Sequence, residues 1–462
     1  MPKPTKGRSA APSGQPPIVK ILAILIAILA LADIFVIALC LKTGKRPDST
    51  ESTASPIETL PEATETQAPM SPISTATILS TGDLLMHKKV IDSGKQEDGS
   101  YDYESIFRYI TPYVSAADYA VANLETTLCG TDKGFAYSGN PKFNCPDAIV
   151  DSAKNAGFSM LLTANNHSID TTIVGFKRTL EVVREKGLAT LGTYLSPEEQ
   201  KWTMIEVNGI KLGLLCYTYS DGYAQNGNPV LNFNEVPESG ILNYFTYDKL
   251  PDFYSQVTGY LEEMKQAGAD ATLMYIHWGT EYQLAADANQ SAIAQQLCNL
   301  GIDAIIGGHP HVVEPMNLLQ SAADPDHHTV VLYSMGNAVS NQRKEEMQSI
   351  TTGETEDGML YSLTFAKYAD GSVAIDSVDL LPTWVNMNAN SGKTEYNIIP
   401  LDTSIATQWQ ERFGLTDIQV LNAKASLNRT NQVVSTSLER VQSFLSSQKE
   451  AREIPASTDD AA

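Results

Sequence analysis

A chain of 462 residues with a formal net charge of −22 is long enough for one large or two ordinary domains with well-buried cores. Its 54 acidic against 32 basic residues argue against nucleic acid as a partner, because phosphate binding needs clustered Lys and Arg. The acid excess serves solubility, and any anion that the protein handles is expected to be met by local metal ions.

Residues 1–17 are polar, with Lys3, Lys6 and Arg8, and read as a cytoplasmic tail. Residues 18–41 are almost entirely apolar, broken by Lys20 and Asp33. About 20 apolar residues span a bilayer. Asp33 costs roughly 2.5–3.5 kcal/mol at the centre, while each Ile or Leu contributes roughly −0.3 to −0.6. The sum predicts an uncleaved transmembrane signal anchor. A cleaved signal peptide is the rival, but Leu39 is too bulky to precede a cleavage site at Cys40. Residues 42–73, rich in Ser, Thr, Pro and Glu, read as a disordered linker. The expected location is therefore the cell membrane, single-pass, with the C-terminal domain extracytoplasmic. Basic residues flank both ends of the span, so charge alone does not orient it.

The folded domain is expected over residues 74–398. A short strand at 77–81 leads into Gly82-Asp83 and His87, and the spacing predicts a helix over 103–116. An apolar run at 119–122 leads into Asn123-Leu124-Glu125. A helix at 147–155 and a buried strand at 158–162 precede Asn165-Asn166-His167, and a helix at 172–186 stops at Gly187. Asn208-Gly209 between two apolar runs predicts a hairpin. Residues 221–243, rich in Gly, Asn and Pro, read as a long loop beside the site. A helix at 253–267, a strand at 271–276 ending in His277, a helix at 292–300 and a strand at 304–306 lead to Gly307-Gly308-His309-Pro310-His311. Strands at 330–333, 361–367 and 373–378 close the sheet region. A C-terminal helical segment, 399–448, and a disordered tail, 449–462, complete the chain. The alternation of strands and helices predicts an α/β fold, in which ligands bind outside the carboxyl ends of strands.

Of the seven histidines, five follow apolar runs. Asp83, His87, Glu125, Asn166, His277, His309 and His311 are the candidate ligands, a carboxylate and imidazole set that suits Zn, Mn or Fe. A carboxylate shared between two ions holds them about 3.5–4 Å apart, and such a pair can clamp an anionic group and acidify water. In an extended segment His309 and His311 point the same way, so each reaches a different ion. His167 directly follows Asn166, so both cannot easily reach one metal; His167 reads as a proton donor or anion contact. Taken singly, each of these residues also has a structural reading, such as a cap for Asp83 or a hydrogen-bonded core position for a histidine. His327 and His328 read as solvated loop residues. The five cysteines contain no CxxC, against a thiolate zinc site. Cys216 and Cys298 read as buried thiols. Cys129 and Cys145 flank one loop, open between a disulfide and free thiols.

Gly82-Asp83-x-x-x-His87, Asn123-Leu124-Glu125, Ala164-Asn165-Asn166-His167, His277-Trp278-Gly279-x-Glu281-Tyr282, Gly308-His309-Pro310-His311 and Ser334-Met335-Gly336-Asn337 stand in the order seen in the bacterial CapA family of poly-γ-glutamate capsule synthesis proteins, which this chain resembles over roughly residues 77–381. That family is similar to the calcineurin-like metallophosphoesterases. The resemblance implies a four-layer β-sandwich flanked by helices, here preceded by the single N-terminal transmembrane helix. It implies two divalent metal ions (Mn, Fe or Zn): Asp83 and His311 on one, Glu125 bridging, and Asn166, His277 and His309 on the other. His167 takes the catalytic position, and His87, Asn123, Glu281 and Asn337 are further candidates. The chain departs from the phosphoesterase pattern where Asp-x-His becomes Asp83 and His87, and where a bridging Asp becomes Glu125. The expected function is capsule or poly-γ-glutamate synthesis or export. The expected partners are the membrane, membrane-bound polymer synthase subunits, and an anionic polymer or phosphoester substrate. A metal-dependent hydrolase, a non-enzymatic scaffold of the synthesis complex, and an envelope phosphoesterase unrelated to capsule all stay open.

Overall fold

The computed structural model of the protein describes residues 71–348, 350–389 and 392–453. β1 (Ser74–Leu84) and β2 (Tyr119–Leu124) are parallel neighbours. Helix α1 (Ala148–Ala156) leads to β3 (Met160–Leu162), and α2 (Thr172–Glu185) leads to β4 (Ala189–Leu191), continuing the parallel order. The helix expected over 103–116 is two short ones, Glu104–Phe107 and Thr111–Val114, because Pro112 lacks the amide that a continuous helix needs there.

β5 (Thr203–Val207) and β6 (Ile210–Tyr219) form the expected hairpin, with Asn208 and Gly209 at φ 52° and 77°. The stretch expected as a long loop carries a small three-stranded sheet of β7 (Gly222–Tyr223), β8 (Pro229–Leu231) and β9 (Asn234–Glu235). Strands this short leave no periodicity to read. There follow β10 (Tyr244–Phe245), α3 (Leu250–Gln266), β11 (Ala271–His277), α4 (Ala288–Leu300), β12 (Ala304–Gly308), β13 (Met316–Gln320) and β14 (His328–Leu332). β15 (Asn337–Val339) returns to pair with β1. β16 (Asp357–Lys367), β17 (Val373–Asn388) and β18 (Glu395–Pro400) extend the first sheet in antiparallel fashion.

The first sheet has the order β18-β17-β16-β1-β2-β3-β4, with β15 also on β1. The second is β10-β6-β11-β12-β14-β13, with β5 on β6. Side chains two apart share a face. One face of each sheet therefore meets in a common core: Ile78, Val121, Met160 and Leu363 pack in one cluster with Leu212, Leu214, Leu273 and Ile306. Each fully buried side chain of this kind contributes about 1.5–3 kcal/mol. The opposite face of the first sheet packs on α1, and that of the second on α3 and α4. Ser80 Oγ and Tyr275 Oη, 3.0 Å apart, tie the sheets across the core.

The last helix, α5 (Asp417–Glu453), inserts Val434, Val441 and Leu445 into the common core. Arg429 clamps buried Asp357 of β16 at 2.7 and 2.6 Å. The helix continues through Glu453, so residues 449–453 are not part of the expected disordered tail, and the rest of that tail lies outside the described residues.

The expected fold class, an α/β sandwich preceded by a membrane-spanning helix, needs correction. The structure supports a mixed α/β arrangement of sheets and helices, and among the described residues no helix is long and apolar enough to cross a membrane. The stretch behind the expected span, 18–41, lies outside the described residues, as does most of the expected linker. The single-pass location is withdrawn with it.

Where β1, still paired with β2, passes from β16 to β15, its register shifts on both sides of Asp83. Such bulges re-aim a side chain. Gly82 makes this crossing possible, since a Cβ there would lie 1.9 Å from the carbonyl oxygen of Gly336. Gly82→Ala is expected to destabilise the protein by about 1–3 kcal/mol, as overpacking does, read as a lower midpoint in urea unfolding.

Candidate metal centre

The carboxyl ends of β1, β2, β3, β11 and β12 deliver Asp83, Glu125, Asn166, His277 and the His309–His311 turn to one place. In-register pairing sets Asn123 beside Asp83 and Gly308 beside His277. The Asn123 amide donates to Asp83 Oδ1 at 2.7 Å and to Glu125 Oε2 at 3.3 Å, holding two buried carboxylates that would otherwise repel. His311 Nδ1 is 3.1 Å from Asp83 Oδ2. Glu125 Oε1 lies 3.5 Å from His277 Nε2 and 3.7 Å from His311 Nε2. Asn166 Oδ1 lies 2.9 Å from His277 Nε2.

Two groups of ligand atoms result, each with all atoms within 4.8 Å of one another: Asp83, Glu125 and His311, and Glu125, His277 and His309. Glu125 belongs to both. His309 and His311 do not reach them from an extended segment, as the alternation with Pro310 suggested. Both have left-handed backbones, with φ 98° and 58°. Non-glycine residues held this way cost about 1–3 kcal/mol each and persist where the surroundings over-determine them. Asn337 is one such restraint: its amide donates to the carbonyl of His311 at 3.2 Å and to that of Thr355 at 2.9 Å.

Electrostatics follows from burial and neighbours. Burial opposes ionisation of Asp83, but the hydrogen bond and charge of His311 hold its carboxyl below the usual value. Burial disfavours the charged form of His311 too, yet Glu125 and Asp83 push it up to about 9. Burial, reinforced by His277, His311 and His167, keeps His309 well below the normal imidazole range, hence neutral and ready to ligate.

His87 enters neither group. Its Nδ1 accepts from the amide of Asn341 at 3.2 Å, its ring stands edge-on to Phe143, and burial, then His311, lowers it to about 4. Glu281 is exposed and acts on His311 only through its charge. His167 stays out of both groups, and its Nδ1 lies 2.7 Å from Oδ2 of Asp170, a buried residue that the sequence reading missed although Asn-His-x-x-Asp was visible. Asn232 closes the same network, 3.2 Å from His167 Nδ1 and 3.1 Å from Asp170 Oδ1. Tyr219 and Tyr282, also missed as site residues, place their rings 4.8 Å from His309 and 6.3 Å from His311. Outside the centre, His327 and His328 are not simply solvated: His327 Nε2 meets the Ile302 carbonyl at 3.0 Å, and His328 lies on β14 against Phe444. Cys129 and Cys145 are buried free thiols.

The residues fit a pair of divalent ions on one observation above the rest. Glu125 Oε1 and His309 Nδ1 are buried and have no hydrogen-bond partner in this structure. Buried polar atoms of native proteins are rarely left so, and a cation in each group would satisfy both.

The molecule is thus an α/β protein whose two packed sheets carry an interior cluster of histidines and carboxylates at their strand ends. Its sequence matches the family model described as bacterial capsule synthesis protein PGA_cap over residues 77–342, and the chain belongs to that family. It is 27% identical over 269 residues to the capsule biosynthesis protein CapA of Bacillus anthracis, covering 58% of this chain and 60% of that protein, less than two thirds of its length. It is 26% identical over 332 residues to the PGA biosynthesis protein CapA of Bacillus subtilis, covering 70% of this chain and 78% of that protein. The resemblance read from the motifs is thereby confirmed.

A group whose folded pKa is raised stabilises most below its unfolded value and loses that contribution as pH rises through the folded one. For His311 that window runs from the ordinary imidazole value of 6.5 to about 9. In metal-free protein, the stability difference between wild type and His311→Gln is expected to shrink across this range, measured by thermal melts. Metal uptake below pH ~9 should release a proton, seen as a buffer-dependent heat in calorimetry.

Proposed function

We propose that this protein acts in synthesis or export of a capsule polymer of the poly-γ-glutamate type, through a hydrolase-type centre built to hold two divalent ions. The observation that carries the metal reading is Glu125, whose unpartnered Oε1 lies between His277 and His311. The family match and the names of the two relatives support the capsule setting. Manganese, iron or zinc ions would supply Lewis-acid charge to an anionic or amide centre and acidify water.

The chain's own residues do the rest. Asp83, His311 and Glu125 would hold one ion, and Asn166, His277 and His309 with Glu125 the other. Asn123 orients Asp83 and Glu125 by hydrogen bonds to one oxygen of each, leaving the other oxygens to face the histidines. Asp170 fixes the His167 ring by accepting from Nδ1, so that Nε2, which has no hydrogen bond among the described residues, is the nitrogen able to pass a proton to a leaving group. The partners in this reading are an anionic polymer and the subunits that make it.

Elemental analysis of purified protein should find close to two transition-metal ions per chain, as the two ligand groups imply, with loss of metal in His309→Ala. His167→Ala should keep its metal and lose about 10²–10⁴-fold in turnover of γ-glutamyl amides or phosphoesters. Turnover retained by His309→Ala would rule the mechanism out. Failure to take up any metal would leave a scaffold role in polymer assembly.

A further inference from the structure

The hairpin of β8 and β9 turns at Asn232 and Phe233, with φ 44° and 63°. A two-residue turn with both central φ values positive favours Asn first and Gly second. Phenylalanine in the second position is strained, and packing does not compensate, because Phe233 is 94% exposed. The turn is nevertheless fixed in place beside the site. Asn232 Nδ2 lies 3.2 Å from His167 Nδ1 and donates to Asp170 Oδ1 at 3.1 Å and to the Pro141 carbonyl at 2.9 Å. Asn234 Oδ1 accepts from Lys142 Nζ at 2.9 Å. Lys142 is exposed and has no carboxylate partner among the described residues, so a cation that is not neutralised stands at the same turn as the bare ring.

We propose that Phe233 and Lys142 form a binding subsite for one γ-linked glutamyl unit of the polymer, an inference that rests on the polymer reading above. Each such unit carries a free α-carboxylate beside a run of two methylenes in the chain. A ring face and an ammonium held at one turn match that pairing of apolar and anionic groups. A compact phosphoester offers the charge without the methylenes. On a chain of net charge −22, an unpaired cation near the site also offsets the general repulsion of a polyanion. The unit held there sits next to the His167 loop, so the subsite sets which bond of the polymer meets the centre.

The test is binding of a fluorescent poly-γ-glutamate oligomer to the full chain, followed by anisotropy over a range of salt. Phe233→Ala should weaken binding about 5- to 20-fold, with Phe233→Leu between it and wild type. Lys142→Gln should weaken it about threefold at low salt and flatten the salt dependence. Phe233→Gly should bind as poorly as Phe233→Ala while melting at a higher temperature, because glycine relieves the left-handed backbone. Wild-type affinity in Phe233→Ala and Lys142→Gln, with the oligomer bound by all, would overturn the subsite and leave the polymer reading standing. An oligomer that does not bind wild type would overturn the polymer reading and the subsite together.

Discussion

The carboxylate of Glu125 is the constraint that most of this structure answers to. It is wholly buried at the end of β2, and one of its oxygens has no hydrogen bond. An uncompensated carboxylate in a protein interior costs several kcal/mol. Everything around it supplies partial compensation: the Asn123 amide on one oxygen, and His277 and His311 approaching the other. Those groups come from β2, β11 and the turn after β12, elements of two different sheets. The common core that presses the sheets together therefore also assembles the charge balance of the site.

That balance is held by backbone conformations that the residues themselves disfavour. His309 and His311 adopt left-handed φ values, and Asn337 and the amide of Tyr282, which donates to the Pro310 carbonyl at 2.8 Å, grip the segment between and after them. Tyr282 is itself left-handed, with φ 67°. The strain is thus collected at the same end of the sheets as the buried carboxylates and histidines. The glycines serve the same purpose: a Cβ at Gly307 would lie 1.9 Å from the Tyr333 carbonyl oxygen, so the strands approach more closely there than any side chain would allow.

His167 lies outside both groups of ligand atoms. His167 is oriented by Asp170, and Asn232, which arrives from the small sheet inserted after β6, donates to the other oxygen of Asp170. The turn that carries exposed Phe233 is thereby tied to Asp170 through its neighbour Asn232.

Much of the candidate site was legible in the chain. Asp83, Glu125, His277, His309 and His311 each follow an apolar run, and strand ends in an α/β fold converge, so residue type and position pointed to a cluster of carboxylates and imidazoles, while Glu125 as the shared carboxylate was implied only by the family resemblance. The Asn208-Gly209 hairpin and the helix stop at Gly187 were read from local turn chemistry, which does not depend on distant contacts. What the sequence could not decide depends on separations of tens to hundreds of residues. That His87 turns to Asn341 instead of joining a ligand group, that Asn232 reaches Asp170 beside His167, and that contacts from Asn337 and Tyr282 hold the left-handed His309–His311 turn are outcomes of tertiary packing. The small sheet after β6 escaped because its strands are too short to show a period, and the last helix exceeded its predicted bounds because burial against β13 and β17 overrides a weak local pattern. The sequence by itself determined which chemical groups stand at the strand ends, and its motifs implied how they divide around Glu125; only the tertiary structure decided that His87 stays out and that His277 and His311 come to 3.5 and 3.7 Å from Glu125, because those distances are set between sheets and no local pattern encodes them.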